Sequence, residues 1–398
     1  MKKSAMACSA VYVALLIFSG HLVAAGEGYI MDAGVKISPS LTSTVKYDDN
    51  IFHEGIDETS SSIVTAAPAV NLLLDDGINR YSADLGFESA SHTTSKADNY
   101  SNRFLTLSGH LEPSSRSRWD LSANIIHAVE PRGTGITEGA GDAMDEPLEF
   151  DAQTAQVSYE YGALSTQGLL ALEVNYYNKN YSNFSVITEV MDFDSVLFGG
   201  MFFYSTNSKT DAFIEINQNA IRYDINDPSG SRDSDDVYAL LGVKWEATAL
   251  TTGEIKLGLQ RKNFTKSDRK DFSGFSWGVN VDWQPLTYST VSVNTSRNAT
   301  DPSSYGDYIN KSIVGISWLA QWNSRVSTTV GASYEEEEYI GATMGRTDDT
   351  RNYNAIIDFV ALPWLGLSVF LELTDKDSDL EGIAFKKNVV GISLKATK

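Results

Sequence analysis

Cysteine is close to absent. The only one, Cys8, lies in an N-terminal leader, so the rest of the chain carries no disulfide and no thiol chemistry. Long apolar runs are missing too. Beyond residue 25 no segment reaches the roughly 18 apolar residues of a transmembrane helix. That excludes helical spans but not strands, because a barrel strand needs only about 10 residues with apolar groups at alternate positions. Positive charge is scarce: 31 Lys and Arg stand against 52 Asp and Glu, a formal net charge of −21. Nucleic acid, which calls for a basic footprint, is disfavoured as a partner. The acidity suits either soluble outer loops or a passage that favours cations. Histidine is sparse. His53, His92, His110 and His127 show no metal-ligand spacing, and no metal or cofactor is expected.

What is present begins with a leader. Lys2 and Lys3 precede an apolar stretch from Ala10 to Phe18, and Val23-Ala24-Ala25 has the small-x-small form of a cleavage site. This predicts a secretory signal peptide over residues 1–25, cut after Ala25. Residues 26–34 then form a short periplasmic segment, and 35–398 form one domain.

That domain repeats a simple unit. Phe275, Trp277, Val279, Val281 and Trp283 alternate with Ser276, Gly278, Asn280 and Asp282. A strand places successive side chains on opposite faces, so this run has one apolar and one polar face. After Gln284-Pro285-Leu286-Thr287, a second alternating run carries Val291 and Val293. The pair reads as a β-hairpin. Eighteen such segments are expected. Besides the two of the hairpin, they lie at about 35–47, 63–74, 80–91, 101–111, 118–128, 151–162, 168–181, 192–204, 211–223, 236–246, 253–263, 309–320, 325–335, 351–361, 366–374 and 386–397.

The connections alternate strictly between short and long. Short ones include 75–78, 163–167, 284–287 and 362–365; long ones include 48–62, 129–150, 224–235, 298–308, 336–350 and 375–385. A soluble sandwich has no reason to sort its loops this way. An outer-membrane barrel does, with tight periplasmic turns and longer extracellular loops. Six tryptophans (Trp119, Trp245, Trp283, Trp318, Trp322 and Trp364) sit at or near short turns, while Tyr47, Tyr223, Tyr334 and Tyr353 sit near the long-loop ends. Two such rows are expected as girdles at the two membrane interfaces. The fold class is therefore all-β: a single closed antiparallel transmembrane β-barrel of about eighteen strands in the outer membrane of a Gram-negative bacterium. Closure is obligatory in lipid, where each unpaired edge group costs several kcal/mol.

The polar rows then face the lumen. Candidates are Asp84, Glu88, Asp120, Glu173, Glu215, Lys256, Asp282, Asp358 and Glu372. A barrel of this strand number is wide enough for an aqueous channel. The longest loop, 129–150, is the third on its side. It carries Glu138, Asp142, Asp145, Glu146 and Glu149 against a lone Arg132; by analogy with the third loop of general porins, it is expected to fold inward and line an acidic constriction. Catalytic signals are weak. Gly274-Phe275-Ser276-Trp277-Gly278 has hydrolase-elbow spacing but lies inside an alternating strand with no following helix. His127 points outward without an evident serine partner, and no enzyme is expected. Glu335 to Glu338, like Asp233-Ser234-Asp235-Asp236, reads as a solvated loop run, with a divalent-cation site as the sharper reading.

Several short stretches resemble one family: Tyr47-Asp48-Asp49-Asn50-Ile51-Phe52, Glu130-Pro131-Arg132-Gly133-Thr134, Arg269-Lys270-Asp271-Phe272 before Trp277, and Trp283-Gln284-Pro285. They are similar to motifs of the putative β-barrel porin 2 family. The resemblance implies an outer-membrane barrel associated with exopolysaccharide or capsule biosynthesis and export, and brings no catalytic residues. Implied partners are outer-membrane lipid and lipopolysaccharide, with polysaccharide and export-machinery proteins. Three functions are expected in order: a channel serving polysaccharide export or assembly, a general or cation-preferring diffusion porin, and a secreted all-β carbohydrate-binding protein.

Overall fold

The computed structural model describes residues 26, 28–206, 209–228, 230–248, 250–265, 269–302, 306–342 and 345–398. The expected leader, 1–25, lies outside them. A two-residue strand, β1 (Tyr29–Ile30), precedes the barrel. The wall then runs β2 (Lys36–Asp48), β3 (Ser61–Asp75), β4 (Arg80–His92), β5 (Tyr100–Ser114), β6 (Ser117–Glu130) and β7 (Leu148–Tyr161). It continues with β8 (Gly168–Tyr181), β9 (Phe193–Ser205), β10 (Thr210–Tyr223), β11 (Ser234–Thr248), β12 (Thr251–Phe264) and β13 (Phe272–Leu286). The last six are β14 (Ser289–Thr300), β15 (Tyr308–Gln321), β16 (Val326–Ile340), β17 (Arg346–Leu362), β18 (Leu365–Ser378) and β19 (Phe385–Thr397). One helical turn, α1 (Ser185–Thr188), lies in the connection before β9.

Each strand pairs antiparallel with its sequence neighbour. The ring closes where β19 meets β2, with Val389 opposite Asp48 and Thr397 opposite Ser40. Eighteen strands thus form one cylinder, as the two-residue periodicity predicts. Closure satisfies the backbone groups that an open edge would strand in lipid.

The alternation sorts side chains between two environments. Outward go Val45, Tyr47, Leu85, Leu121, Ile125, Phe198, Ile216, Leu241, Leu259, Ile316, Ile357 and Ile392, all exposed in the isolated chain. Such a continuous apolar belt on a protein surface marks a partner, and around a closed barrel that partner is lipid. Trp119, Trp283, Trp322 and Trp364 are exposed at the short-turn end, and Tyr47, Tyr334 and Tyr353 toward the other. Tyr223 departs from the expected girdle. It occupies an inward position of β10 and packs against Phe193 at 5.3 Å, because its place in the alternation falls on the lumen side.

The short turns are built from local hydrogen bonds. Asp76 accepts from the Asn79 N–H and side-chain amide and from the Ile78 N–H, which hold its carboxyl below the ordinary range. Asn323 accepts from Arg325 and Val326 in the same way. Register shifts precede several of these turns, at Leu111/Ser114, Trp283/Leu286 and Val360/Leu362. Such bulges add the twist that helps a sheet curl shut.

At the other end the strands outrun the sequence expectation. β16 reaches Ile340 and β17 starts at Arg346, so 336–350 is mostly strand. The Glu335–Glu338 run is therefore not a loop. Glu335 and Glu337 face inward onto Lys311, which bonds both, while Glu336 and Glu338 alternate outward. Asp233-Ser234-Asp235-Asp236 is likewise a strand start, with Ser234 and Asp236 buried around Lys262. Among the described residues, no group of three or more His, Asp or Glu could hold a metal ion.

Candidate functional site

The long-loop mouth is where charge, burial and chain crossings concentrate. The 131–147 connection leaves β6 and returns to β7, but its middle bonds to β17 and β18. Along the sheet β5, β4, β3, β2 and β19 lie between. The loop therefore reaches over the opening.

Two of the motifs form its anchorage. In the first, Asn50 is fully buried. Its amide donates to the carbonyls of Glu54 and Lys386, at 2.7 and 2.8 Å, and its oxygen accepts from the Glu54 N–H. This folds the 49–60 connection back over the rim. Phe52 then lies 3.7 Å beneath the Arg132 guanidinium, which belongs to the second motif. Arg132 forks onto Asp98, donating through Nε at 2.9 Å and through Nη2. It also donates to Ser95 and to the Met144 carbonyl, closing the loop on itself. Both Arg132 and Asp98 are 6% exposed, so the pair is held away from water. Gly133 has φ +75, and a Cβ there would meet the Phe52 carbonyl oxygen at 1.8 Å. Gly133 is thus a packing requirement at the crossing.

His53 fixes the same crossing. Its Nδ1 donates to the Arg132 carbonyl at 3.0 Å, and its Nε2 accepts from Lys387 at 3.1 Å. Burial, and then the Lys387 ammonium, push the imidazole down to about 3, so it is neutral at ordinary pH. Lys387 completes the chain with Asp48 at 2.9 Å.

The opposite half of the mouth uses the third motif. Arg269 donates to the Gly306 carbonyl at 2.8 Å and pairs with Asp307 and Asp227. The Lys270 N–H donates to Asp307, and Asp271 accepts the Phe264 N–H. Phe272 packs edge-on against Tyr308 at 5.3 Å. Beside them Lys262, fully buried, pairs with Asp301 at 2.8 Å and Asp236 at 3.2 Å. Arg232 pairs with Asp227 and donates to Pro302.

The expected constriction residues do not converge. Glu138 alone enters the mouth, bonding Arg346 at 2.6 Å and Lys376. Asp142, Asp145 and Glu146 are exposed on the loop; the Asp142 N–H donates to Glu54, and Glu146 accepts from the Asn183 amide. Glu149 is exposed on β7, in the same outward row as Val157 and Tyr161. Arg132 serves as an anchor and leaves no net positive charge in the passage.

The expected lumen residues all fall on the face opposite the apolar row. Asp84 accepts from the Asn71 amide at 2.6 Å, and Glu88 from the Tyr100 hydroxyl at 2.9 Å. Asp120 bonds His110 at 2.7 Å. Glu215 is fully buried and pairs with Lys256 at 3.0 Å. Asp282 accepts from Ser292, and Asp358 from Ser368. Glu173 is buried beside Gly199, while Glu372 is half-buried. Ser276 of the elbow-like spacing donates to the Arg297 carbonyl within the ladder, so no nucleophile elbow forms. His127 does find a carboxylate, Asp151, at 3.0 Å on the outer wall.

A closed antiparallel cylinder, apolar outside, polar within and capped by long loops at one end, defines an outer-membrane β-barrel of the porin type. More narrowly, the chain belongs to the putative beta-barrel porin 2 family, whose pattern matches residues 35–398. No curated protein matches the sequence. Solved barrels are similar in fold. OccK3 (OpdO) of Pseudomonas aeruginosa shares 11% identity over 91% of this chain and 95% of its own, with a TM-score of 0.49. OccAB3 of Acinetobacter baumannii shares 10% over 92% and 99%, at 0.49. OprD of Pseudomonas aeruginosa shares 10% over 94% and 97%, at 0.48.

Proposed function

We propose that this barrel is a loop-capped channel of the Gram-negative outer membrane that serves export or assembly of surface polysaccharide. The supporting observation is the inner wall. Its inward rows carry hydroxyls, amides and carboxylates, such as Ser158, Glu173, Asn217, Asn280, Ser292 and Asn354. Such a surface exchanges hydrogen bonds with a polyhydroxylated chain as readily as with water. The family resemblance supports the polysaccharide assignment. Deleting the gene and staining the cell surface tests it: surface polysaccharide falls and returns on complementation, whereas an unchanged surface refutes the assignment.

A second reading is a cation-preferring diffusion porin. Asp84, Asp282 and Asp358 each take a hydrogen bond from an amide or hydroxyl, which leaves their charge uncancelled there. Fixed negative charge along a low-dielectric wall concentrates cations. Reversal potentials across a salt gradient in planar bilayers decide this point. A potential of cation-selective sign supports it, and one near zero rejects it.

A further inference from the structure

Glu138 is the one acidic group of the capping loop that is drawn inside, and its surroundings are unusual for this chain. Arg346 and Lys376, with side chains 1% and 8% exposed, stand on adjacent strands at inward positions. Both are held from below by Asp348, which is fully buried. Asp348 accepts from Arg346 Nε at 2.9 Å and from Ser378 at 2.6 Å, and lies 3.0 Å from Lys376 Nζ. The Tyr339 ring packs under the guanidinium at 4.0 Å. The two cations are therefore oriented by the wall itself. The loop adds the Glu138 carboxylate, one oxygen on each cation.

We propose that Arg346 and Lys376 form a carboxylate-binding seat in the mouth, which the chain's own Glu138 fills, so that a carboxylate-bearing sugar displaces the loop and opens the channel. This rests on the channel reading above. When Glu138 departs, both cations lose a charge-assisted contact, and an anion in its place restores it. A carboxylate reproduces the two-point, charge-assisted contact, which a neutral sugar cannot do. A ligand can shift the loop only through such a difference in affinity between the two states.

The test is gating of the purified full chain in planar bilayers, with glucuronate as probe and glucose and chloride at matched ionic strength as controls. Glucuronate raises the open fraction, and glucose and chloride do not. In Glu138→Gln the open fraction starts about tenfold higher, the effect of losing one charge-assisted contact, and glucuronate, no longer competing with a carboxylate, acts at lower concentration. Wild-type gating in Glu138→Gln, or equal responses to chloride and glucuronate, overturns the seat. A second variant lacking 134–146 leaves the cations in place without their internal carboxylate. It binds glucuronate in calorimetry, and added Lys376→Gln abolishes that binding; no binding overturns the proposal independently of gating. Should neither the full chain nor the deletion variant conduct, the channel reading fails and calorimetry alone decides the seat.

Discussion

The two ends of the barrel are held by different physics. At the short-turn end, connections close through Asx-type bonds on Asp76 and Asn323, and the Arg80–Asp75 pair is open to solvent, with Arg80 56% exposed. Arg118, bonded to Glu160 and the Gly162 carbonyl, is the buried tie there. At the long-loop end the corresponding groups are buried charge pairs: Arg132–Asp98, Lys387–Asp48, Lys262–Asp301 and Arg346–Asp348. A tight turn needs nothing beyond its own residues. A loop that must lie over an opening has only small apolar clusters to rest on, such as Ile51, Ile63 and Ala90, so charge pairs sheltered from water hold it. Removing one partner of such a pair is costly in a way that removing a surface partner is not.

This contrast can be broken in order of effect. Arg132→Ala leaves Asp98 buried without its cation and lowers stability by about 3–5 kcal/mol. Urea titration in lipid bilayers, followed by tryptophan fluorescence, measures it. A loss no larger than that of a surface pair would erase the distinction between the ends. Leu241→Arg probes the wall that both ends share. In the middle of the apolar belt it costs about 2–4 kcal/mol, while Asn280→Arg on the lumen face stays within about 1 kcal/mol. The same titration compares them, and equal costs would contradict the assignment of faces.

Acid separates the ends more gently. His53 is depressed in the folded chain, so between its ordinary 6.5 and about 3 the unfolded state binds the extra proton. Stability of the capped mouth is full above that window and falls as pH drops through it. His53→Gln should flatten this part of the profile, read as protection of the loop from protease at pH 7 and pH 4. A profile unchanged by the substitution would remove His53 from the crossing. The smallest effect is Arg80→Ala, below about 1 kcal/mol by the same urea titration.

The wall was legible in the sequence because lipid enforces period two on every strand. The lumen assignments followed from the same parity, which places Asp84 through Glu372 on the face opposite the apolar row. The mouth was legible only as motifs. Nothing local in Tyr47-Asp48-Asp49-Asn50-Ile51-Phe52 says that Phe52 lies under Arg132. That contact depends on the loop crossing, and no periodicity encodes a crossing. Arg346 and Asp348 escaped notice for another reason. Their polar neighbours read as loop, yet the strands extend into this region and place both inward. Glu149 erred in the opposite direction, as a strand residue counted with a loop.

One measurement tests the closed, lipid-encircled wall most directly. Because Cys8 is the chain's only cysteine, single cysteines can be placed from 277 to 282 on β13 without background from the barrel. In liposomes, a water-soluble thiol reagent should label 278, 280 and 282 and spare 277, 279 and 281. Uniform labelling, or labelling of the odd positions, would contradict the account.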